Sequence, residues 1–145
     1  MAIRTTARVE IFESVIASES SPGGDSYKHL AKTNRLVFSL AVASAPVGET
    51  GELKASHVNA GVRKTGRYGA TARVNNTSEH AGWVHDGTTG PIVPKQGAYL
   101  RIPPGSGFPL IFTTSVRGQR ANPWLWKAGQ HAAAIMGGRA DRIRL

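Results

Sequence analysis

The chain has 145 residues and a mass of 15.4 kDa, and 18 Lys and Arg against nine Asp and Glu give a net charge of +9. It contains no cysteine, which excludes disulfide scaffolds, thiolate metal sites and thiol catalysis. No apolar run approaches the roughly 18 to 20 residues of a membrane span, and the N-terminus lacks the order of a signal peptide. We therefore expect a soluble, intracellular protein with one domain over residues 1–145.

The charge is unevenly distributed along the chain. Residues 1–52 carry five basic and six acidic side chains, whereas residues 53–145 carry 13 basic and three acidic ones. The later part therefore presents positive surface. We expect that surface to meet an anionic partner, either a nucleic acid or an acidic protein.

The first 25 residues form an N-terminal segment whose secondary structure the sequence leaves open. A turn-rich run of Ser, Pro and Gly closes it at 20–24. Its apolar positions fit a strand with a switch of phase and a short helix equally well: Val9, Ile11, Phe12, Val15 and Ile16. The segment is a candidate arm between subunits.

A long helix is predicted over about residues 27–44. Asp25 or Ser26 can cap its first turn, and Pro46 ends it because the residue before a proline is disfavoured in the helical region. Apolar side chains surround much of its circumference, which predicts that it is the central buried helix.

A period of two after this helix predicts an antiparallel hairpin with one buried face. The apolar positions are Val58, Ala60 and Val62 before a turn at 64–67, and Tyr68, Ala70, Ala72 and Val74 after it. Arg63, Lys64 and Arg67 then lie at the hairpin tip, facing either DNA phosphates or an acidic protein. Few aromatic side chains accompany them for base stacking, which favours the protein.

The last third of the chain predicts a long loop, a strand and a helix. Residues 87–109 are dense in Gly and Pro and predict a projecting loop. Pro109–Arg117 is rich in β-branched and aromatic residues, which favours a strand. Asn122 as N-cap and Pro123 in the first turn then predict a helix. Its apolar face is formed by Leu125, Ala128, Ala132 and Ile135.

Gly137 ends this helix and leaves a basic tail at 137–145. The order of elements predicts an α+β fold. In it, a long central helix packs on a small antiparallel sheet, with a long projecting loop and a C-terminal helix.

The chain lacks the residue patterns of an enzyme or a metal site. Ser106 lies in a Gly-Ser-Gly stretch with no following helix, unlike a nucleophile elbow. His80 and His85 are five residues apart, about 140° around a helix, whereas helical metal pairs stand at i and i+4. Capping and surface roles are the expectation for these histidines and for Glu79 and Asp86. We predict no catalytic, cofactor-binding or metal site.

Trp124 and Trp126 open the last helix two positions apart, about 200° around it, so they cannot both face one core. We predict that at least one of them anchors an interface, as tryptophan often does. The alternative is that both fold under the long loop. Tyr99 and Arg101, on that loop, are further candidate interface residues.

Short motifs along the chain resemble, in order and spacing, a known family. They are Ala45-Pro46-Val47, then Thr50-Gly51-Glu52-Leu53-Lys54-Ala55-Ser56, then Ala81-Gly82-Trp83-Val84-His85-Asp86-Gly87-Thr88, and Ala121-Asn122-Pro123-Trp124-Leu125-Trp126-Lys127-Ala128. Over about residues 28–136 the chain resembles the minor tail component family of long-tailed phages related to lambda. Its members look like A-P-v-x-T-G-x-L-r-x-S, Y-A-x-y-v-E-f-G-T and P-F-L-r-x-A.

The matching residues are Pro46, Gly51, Leu53, Trp83, Gly87, Thr88, Pro123 and Leu125. The resemblance implies that Gly51 lets the chain reverse and that Leu53 anchors the first strand. It also implies that Gly87 ends a short helix in the left-handed conformation, and that Pro123 and Leu125 start and dock the last helix. His85 and Asp86 depart from the family's acid and aromatic residue, Trp124 stands for Phe, and Trp126 replaces a polar or basic residue.

The resemblance further implies a non-catalytic structural protein of the virion neck, assembled in the host cytoplasm. It implies a ring at the head–tail junction, by analogy a hexamer, in a tail-completion or connector role. Its partners would be other neck proteins and the tail terminator or tail tube, with DNA passing through without tight binding. The alternative from charge alone is a small basic nucleic-acid-binding protein.

Overall fold

The computed structural model describes residues 12–48, 50–102 and 109–138. Val9 and Ile11 of the N-terminal pattern, the Gly-Ser-Gly stretch around Ser106 and the tail from residue 139 lie outside these ranges. Within them the chain has an α+β fold, as the sequence predicts. Its elements are α1 (Glu13–Glu19), α2 (Asp25–Ser44), α3 (Glu52–Ala55), β1 (His57–Thr65), β2 (Gly69–Asn76), α4 (Ala81–Asp86), β3 (Leu100–Ile102), β4 (Ile111–Thr113) and α5 (Trp124–Met136).

The long helix α2 begins earlier than predicted and takes its cap from another helix. Its N-cap is Gly24, which has no side chain to accept a bond, so the prediction of an Asp25 or Ser26 cap was wrong. Instead the Glu19 carboxylate at the end of α1 accepts hydrogen bonds from the backbone N–H groups of Asp25 and Ser26, at 2.9 and 3.2 Å. These two bonds satisfy two backbone N–H donors that have no partner within the first turn, and they tie α1 to α2.

The predicted hairpin is confirmed, with one irregularity. β1 and β2 pair antiparallel from His57 opposite Asn76 to Thr65 opposite Gly69, with a bulge between Asn59 and Gly61. Because an extra residue in one strand reverses its alternation, the predicted apolar face of β1 was only partly right. Directly paired residues share a face.

Val62 pairs with Ala72 on the inner face, whereas Val58 pairs with Asn75 on the outer face and is 44% exposed. The alternation along β2 is confirmed, since Ala70, Ala72 and Val74 are all half-buried. Tyr68 was wrongly placed on this face: it lies in the turn and is exposed.

The core lies where α2 packs against α5 and against the hairpin. Among the described residues its buried apolar members are Ala41, Ala45, Trp124, Ala128 and Ala132. Small side chains let α2 and α5 approach closely. The buried face of α5 therefore starts at Trp124; Leu125 is only half-buried and Ile135 is exposed, contrary to the predicted face.

A proline marks the start of α5 and a glycine marks its end, but the helix begins one residue later than predicted. Pro123 is the N-cap itself rather than the first helical residue, and Asn122 makes no side-chain cap. Gly137 ends the helix, as predicted, and it does so in the left-handed conformation (φ 75°, ψ 20°).

The predicted projecting loop is one side of a two-stranded antiparallel structure that we call the ribbon, residues 88–102 and 109–119. At its base the Thr88 N–H donates to the Gln119 carbonyl at 3.0 Å, and further along Ile92 and Val116 exchange two backbone bonds. β3 and β4 then pair from Leu100 opposite Thr113 to Ile102 opposite Ile111. The sequence predicts residues 87–109 as a loop and Pro109–Arg117 as a separate strand, whereas the structure pairs the two segments. The composition of either segment alone does not show this pairing.

None of the helices in the described ranges is long and apolar enough to span a lipid bilayer.

Candidate functional site

Trp124 lies where three elements of the fold meet, in the interior of the protein. It is 2% exposed, and its indole Nε1 donates a hydrogen bond to Nε2 of His57 at 3.0 Å. The rings of His57 and His85 meet it edge-on, with centroids 6.1 and 5.4 Å away. The prediction of Trp124 as an interface anchor was therefore wrong, because packing within the chain itself covers it.

The most exposed tryptophan is Trp83 on α4, at 61%, with the His80 ring 5.7 Å away between centroids. Trp126 is half-buried. The spacing of Trp124, Ala128 and Ala132 at i, i+4 and i+8 was the signal that could have identified the buried side of α5. Trp83 stands in the short helix before Gly87, where sequence periodicity carries little information.

The family-like residues between 46 and 53 form one wall of a surface depression. Pro46 and Leu53 line it with Val84, which comes from α4. Leu53 lies in the short helix α3, so the prediction that it anchors a strand was wrong. Gly51, with φ 64° and ψ 7°, is in the left-handed region and starts α3 immediately after the turn.

We call this depression the groove. It encloses about 250 Å³ and its lining is largely apolar; among the described residues that line it, Glu52 is the one with a carboxylate. The Glu52 carboxylate accepts a hydrogen bond from the Ser78 hydroxyl at 3.2 Å. The described residues that line it are Pro46, Val47, Gly48, Thr50, Glu52, Leu53, Ser78, His80, Val84 and Gln119.

Gly87 and Thr88 join α4 to the base of the ribbon. Gly87 ends α4 with φ 77° and ψ −174°, a region reached almost only by glycine, and not in the left-handed conformation predicted. The Thr88 hydroxyl accepts a hydrogen bond from the Gln119 backbone N–H at 2.7 Å. This bond adds to the backbone pairing of the same two residues and fixes the position at which the ribbon begins.

The ribbon presents apolar and basic side chains to solvent. Tyr99 and Phe112 are each 62% exposed. Arg101, which lies between them in the sequence, is also exposed. Its basic residues are Lys95, Arg101 and Arg117, and the sequence has no Asp or Glu between 87 and 140. Its other exposed large apolar residues are Ile92, Val93, Leu110 and Ile111.

The N-terminal helix α1 carries a second exposed apolar patch, made of Phe12, Val15 and Ile16. Its Glu13 carboxylate accepts a hydrogen bond from the Tyr68 hydroxyl at 2.6 Å. This bond raises the pKa of Tyr68 above its ordinary value, with a smaller contribution from burial, because both favour the neutral phenol. The contact joins α1 to the hairpin turn.

The three basic residues predicted at the hairpin tip do not form one cluster. Arg63 is on the outer face of the hairpin, and the Lys64 ammonium donates to the Ser21 hydroxyl at 2.6 Å. The Arg67 guanidinium lies 5.3 Å from the centre of the Tyr68 ring and 3.9 Å from the Glu13 carboxylate.

Arg73, which sequence reasoning assigned to no site, shares the outer face with Arg63 in a hollow of about 450 Å³. Within the part of the chain that the structure describes, no carboxylate lines this hollow. Its lining is Ala60, Gly61, Arg63, Lys64, Thr65, Thr71, Arg73 and Asn75. The outer face of the hairpin is thus a basic surface without aromatic side chains.

Over the described ranges no group of three or more His, Asp and Glu side chains converges to hold a metal ion. His85 instead pairs with its neighbour Asp86, Nδ1 to Oδ1 at 2.7 Å. Comparisons of the chain with family models, with curated proteins and with solved structures found no match.

Proposed function

We propose that this chain is a non-catalytic structural protein of a phage neck, forming a ring at the head–tail junction. The observation that carries the proposal is the exposure of large apolar side chains along the ribbon, including Tyr99 and Phe112 at 62% each. Burying one such side chain stabilises a protein by roughly 1.5 to 3 kcal/mol. A surface of this kind is typical of a subunit whose folding is completed by a partner.

The small core supports the same interpretation. Four of the five buried apolar residues in the described ranges are alanines, and Trp124 is the one large member. An isolated two-stranded ribbon is at best marginally stable in water. Packing the ribbon against a neighbouring subunit supplies the third layer that it lacks.

The asymmetry of the subunit supports a ring. The exposed side chains of the ribbon, such as Tyr99 and Phe112, and the surfaces that could receive them, such as the depression lined by Leu53 and Val84, are made of different residues. Contacts between two different faces are heterologous and close into rings when the rotation allows. The resemblance to minor tail components adds, by analogy, that the ring is a hexamer and that it contacts neck proteins and the tail terminator or tube.

The test is to examine tailed particles from the phage that carries this gene. We expect the protein in mass spectra of purified virions at a low copy number, and we expect a knockout to yield filled heads and separate tails. Infectious tailed particles from the knockout would overturn the proposal. So would absence of the protein from purified virions.

A nucleic-acid-binding function is the second candidate, favoured by the basic outer face that contains Arg63 and Arg73. It predicts that the purified protein retains nucleic acid at low salt and releases it steeply as salt rises. The neck proposal predicts discrete oligomers instead. The Arg63→Glu/Arg73→Glu variant separates the two, because it would abolish retention of nucleic acid and leave the oligomers intact.

A further inference from the structure

The groove and the ribbon have complementary chemistry. The groove is apolar with the Glu52 carboxylate at its wall, and Glu79 follows its lining residue Ser78. The ribbon is apolar and basic, with Tyr99, Phe112 and Arg101 exposed. Lys54 stands two positions from Glu52 on α3, about 200° around the helix, and does not line the groove. Opposite charge therefore favours this pairing over ribbon against ribbon.

The ribbon of a subunit does not reach the groove of the same subunit. Gln119 lines the groove and is also the base of the ribbon. Pairing at Ile92 with Val116 and at Leu100 with Thr113 keeps the ribbon extended away from that base. In extended conformation, residues 111–119 span up to about 26 Å. A domain of this length has a radius of gyration of about 15 Å, so the ribbon is long enough to extend beyond the body of its own subunit.

We propose that the ribbon of one subunit seats in the groove of a second copy of this chain. Tyr99 and Phe112 enter the apolar part, and Arg101 faces Glu52 and Glu79. The contact is head to tail, because the exposed part of the ribbon and the groove are two different surfaces of each subunit. This inference rests on the proposed ring and specifies the two surfaces that build it.

Charge exchange tests the pairing. The wild-type chain at high concentration should form oligomers, measured by size exclusion with light scattering. Two double variants reverse the charge of one surface each: Glu52→Lys/Glu79→Lys in the groove and Lys95→Glu/Arg101→Glu in the ribbon. Each should weaken self-association by about tenfold or more. Mixing the two variant proteins, or combining all four substitutions in one chain, should restore it. Arg63→Glu/Arg73→Glu is the control for a change of net charge and should leave association unchanged. A wild-type chain that stays monomeric, or variants that associate normally, would overturn the inference.

A photo-crosslinker placed at Tyr99 locates the contact directly. Mixing ¹⁵N-labelled and unlabelled chains distinguishes crosslinks between copies from those within one. We expect crosslinks between copies to peptides containing Leu53 or His80. Crosslinks only to the outer face of the hairpin or to α1 would overturn the inference. The neck proposal would survive that result, since it depends on the presence of the protein in virions and not on this interface.

Discussion

The indole Nε1 of Trp124 donates a hydrogen bond to Nε2 of His57, 67 residues away in the chain and 3.0 Å away in space. Because an indole N–H can only donate, the Nε2 atom must be unprotonated. The His57 Nδ1–H then donates to the Lys54 carbonyl at 3.0 Å. The Asn76 amide nitrogen, 3.2 Å from that Nδ1, instead donates to the Leu53 carbonyl at 2.6 Å. The His57 side chain thus joins its own strand, β1, to α5 and to the end of α3.

Trp124→Phe should therefore destabilise the fold. The phenyl ring keeps most of the apolar contact but removes the indole donor to Nε2 of the buried His57, whose other neighbour, the Asn76 amide nitrogen, is 3.5 Å away; we expect a cost of about 1 to 3 kcal/mol. Urea unfolding followed by far-UV circular dichroism measures the loss. Trp83→Phe is the matched control, because Trp83 is 61% exposed and we expect a change within about 0.5 kcal/mol. Equal effects of the two substitutions would contradict this account of the core.

Local periodicity predicted most of the elements, and it was wrong where distant residues decide the outcome. The hairpin, the long helix and the end of α5 at Gly137 follow from alternation and from glycine and proline rules. The bulge beside Asn59 reverses the face of Val58, and no local signal marks it. The cap from Glu19 and the bond from Trp124 to His57 both depend on tertiary placement.

The candidate surfaces were predicted less well than the fold. Tyr99 and Arg101 are exposed as expected for interface residues, while Trp124 is buried. Arg63, Lys64 and Arg67 are close in sequence, but successive strand residues point to opposite faces. The groove could not be predicted, because it combines Leu53 with Val84, and only the fold brings these residues together.

Gly87→Ala should destabilise the fold strongly. Gly87 has φ 77°, and a Cβ there would lie 2.7 Å from the backbone nitrogen of Ala121 and 2.8 Å from the carbonyl oxygen of Gln119. Strain and overpacking together predict a loss of about 2 to 5 kcal/mol.

Gly82→Ala is the control for this substitution. Gly82 lies in α4, and a Cβ there would meet nothing within 4 Å. Alanine should be neutral there or stabilise the fold by up to about 1 kcal/mol. Thermal unfolding of the two variants measures the difference, and a tolerant Gly87 would refute the close approach between α4 and residues 119–121.

Asn34→Ala should loosen the bulge in β1. The Asn34 side chain is 6% exposed, and its amide donates to Oδ1 of Asn59 at 2.5 Å. That same oxygen accepts a bond from the Gly61 backbone N–H at 2.8 Å, so α2 holds the bulge through one shared acceptor. We expect a loss of about 1 to 3 kcal/mol and faster amide hydrogen exchange at Gly61.

The control for this prediction is Asn75→Ala, on the outer face of β2. Asn75 is exposed, so its stability effect should stay within about 0.5 kcal/mol. The exchange rate at Gly61 should then be unchanged. If Asn34→Ala leaves that rate unchanged too, the bulge is held by the hairpin alone.

The contact between Tyr68 and Glu13 should make the attachment of α1 sensitive to alkaline pH. The folded-state pKa of Tyr68 is raised above its ordinary value of 10.0, because its hydroxyl donates to the Glu13 carboxylate. A raised pKa means that the stabilising contribution is complete below pH 10.0 and is lost as pH rises through the folded-state pKa.

Absorbance at the tyrosinate band, as the difference between wild type and Tyr68→Phe, isolates the titration of Tyr68. Glu13→Gln should move it back towards the ordinary value, since a neutral amide does not repel the phenolate. An unchanged titration in Glu13→Gln would show that the carboxylate does not control Tyr68, and α1 would then be attached mainly through the Glu19 cap on α2.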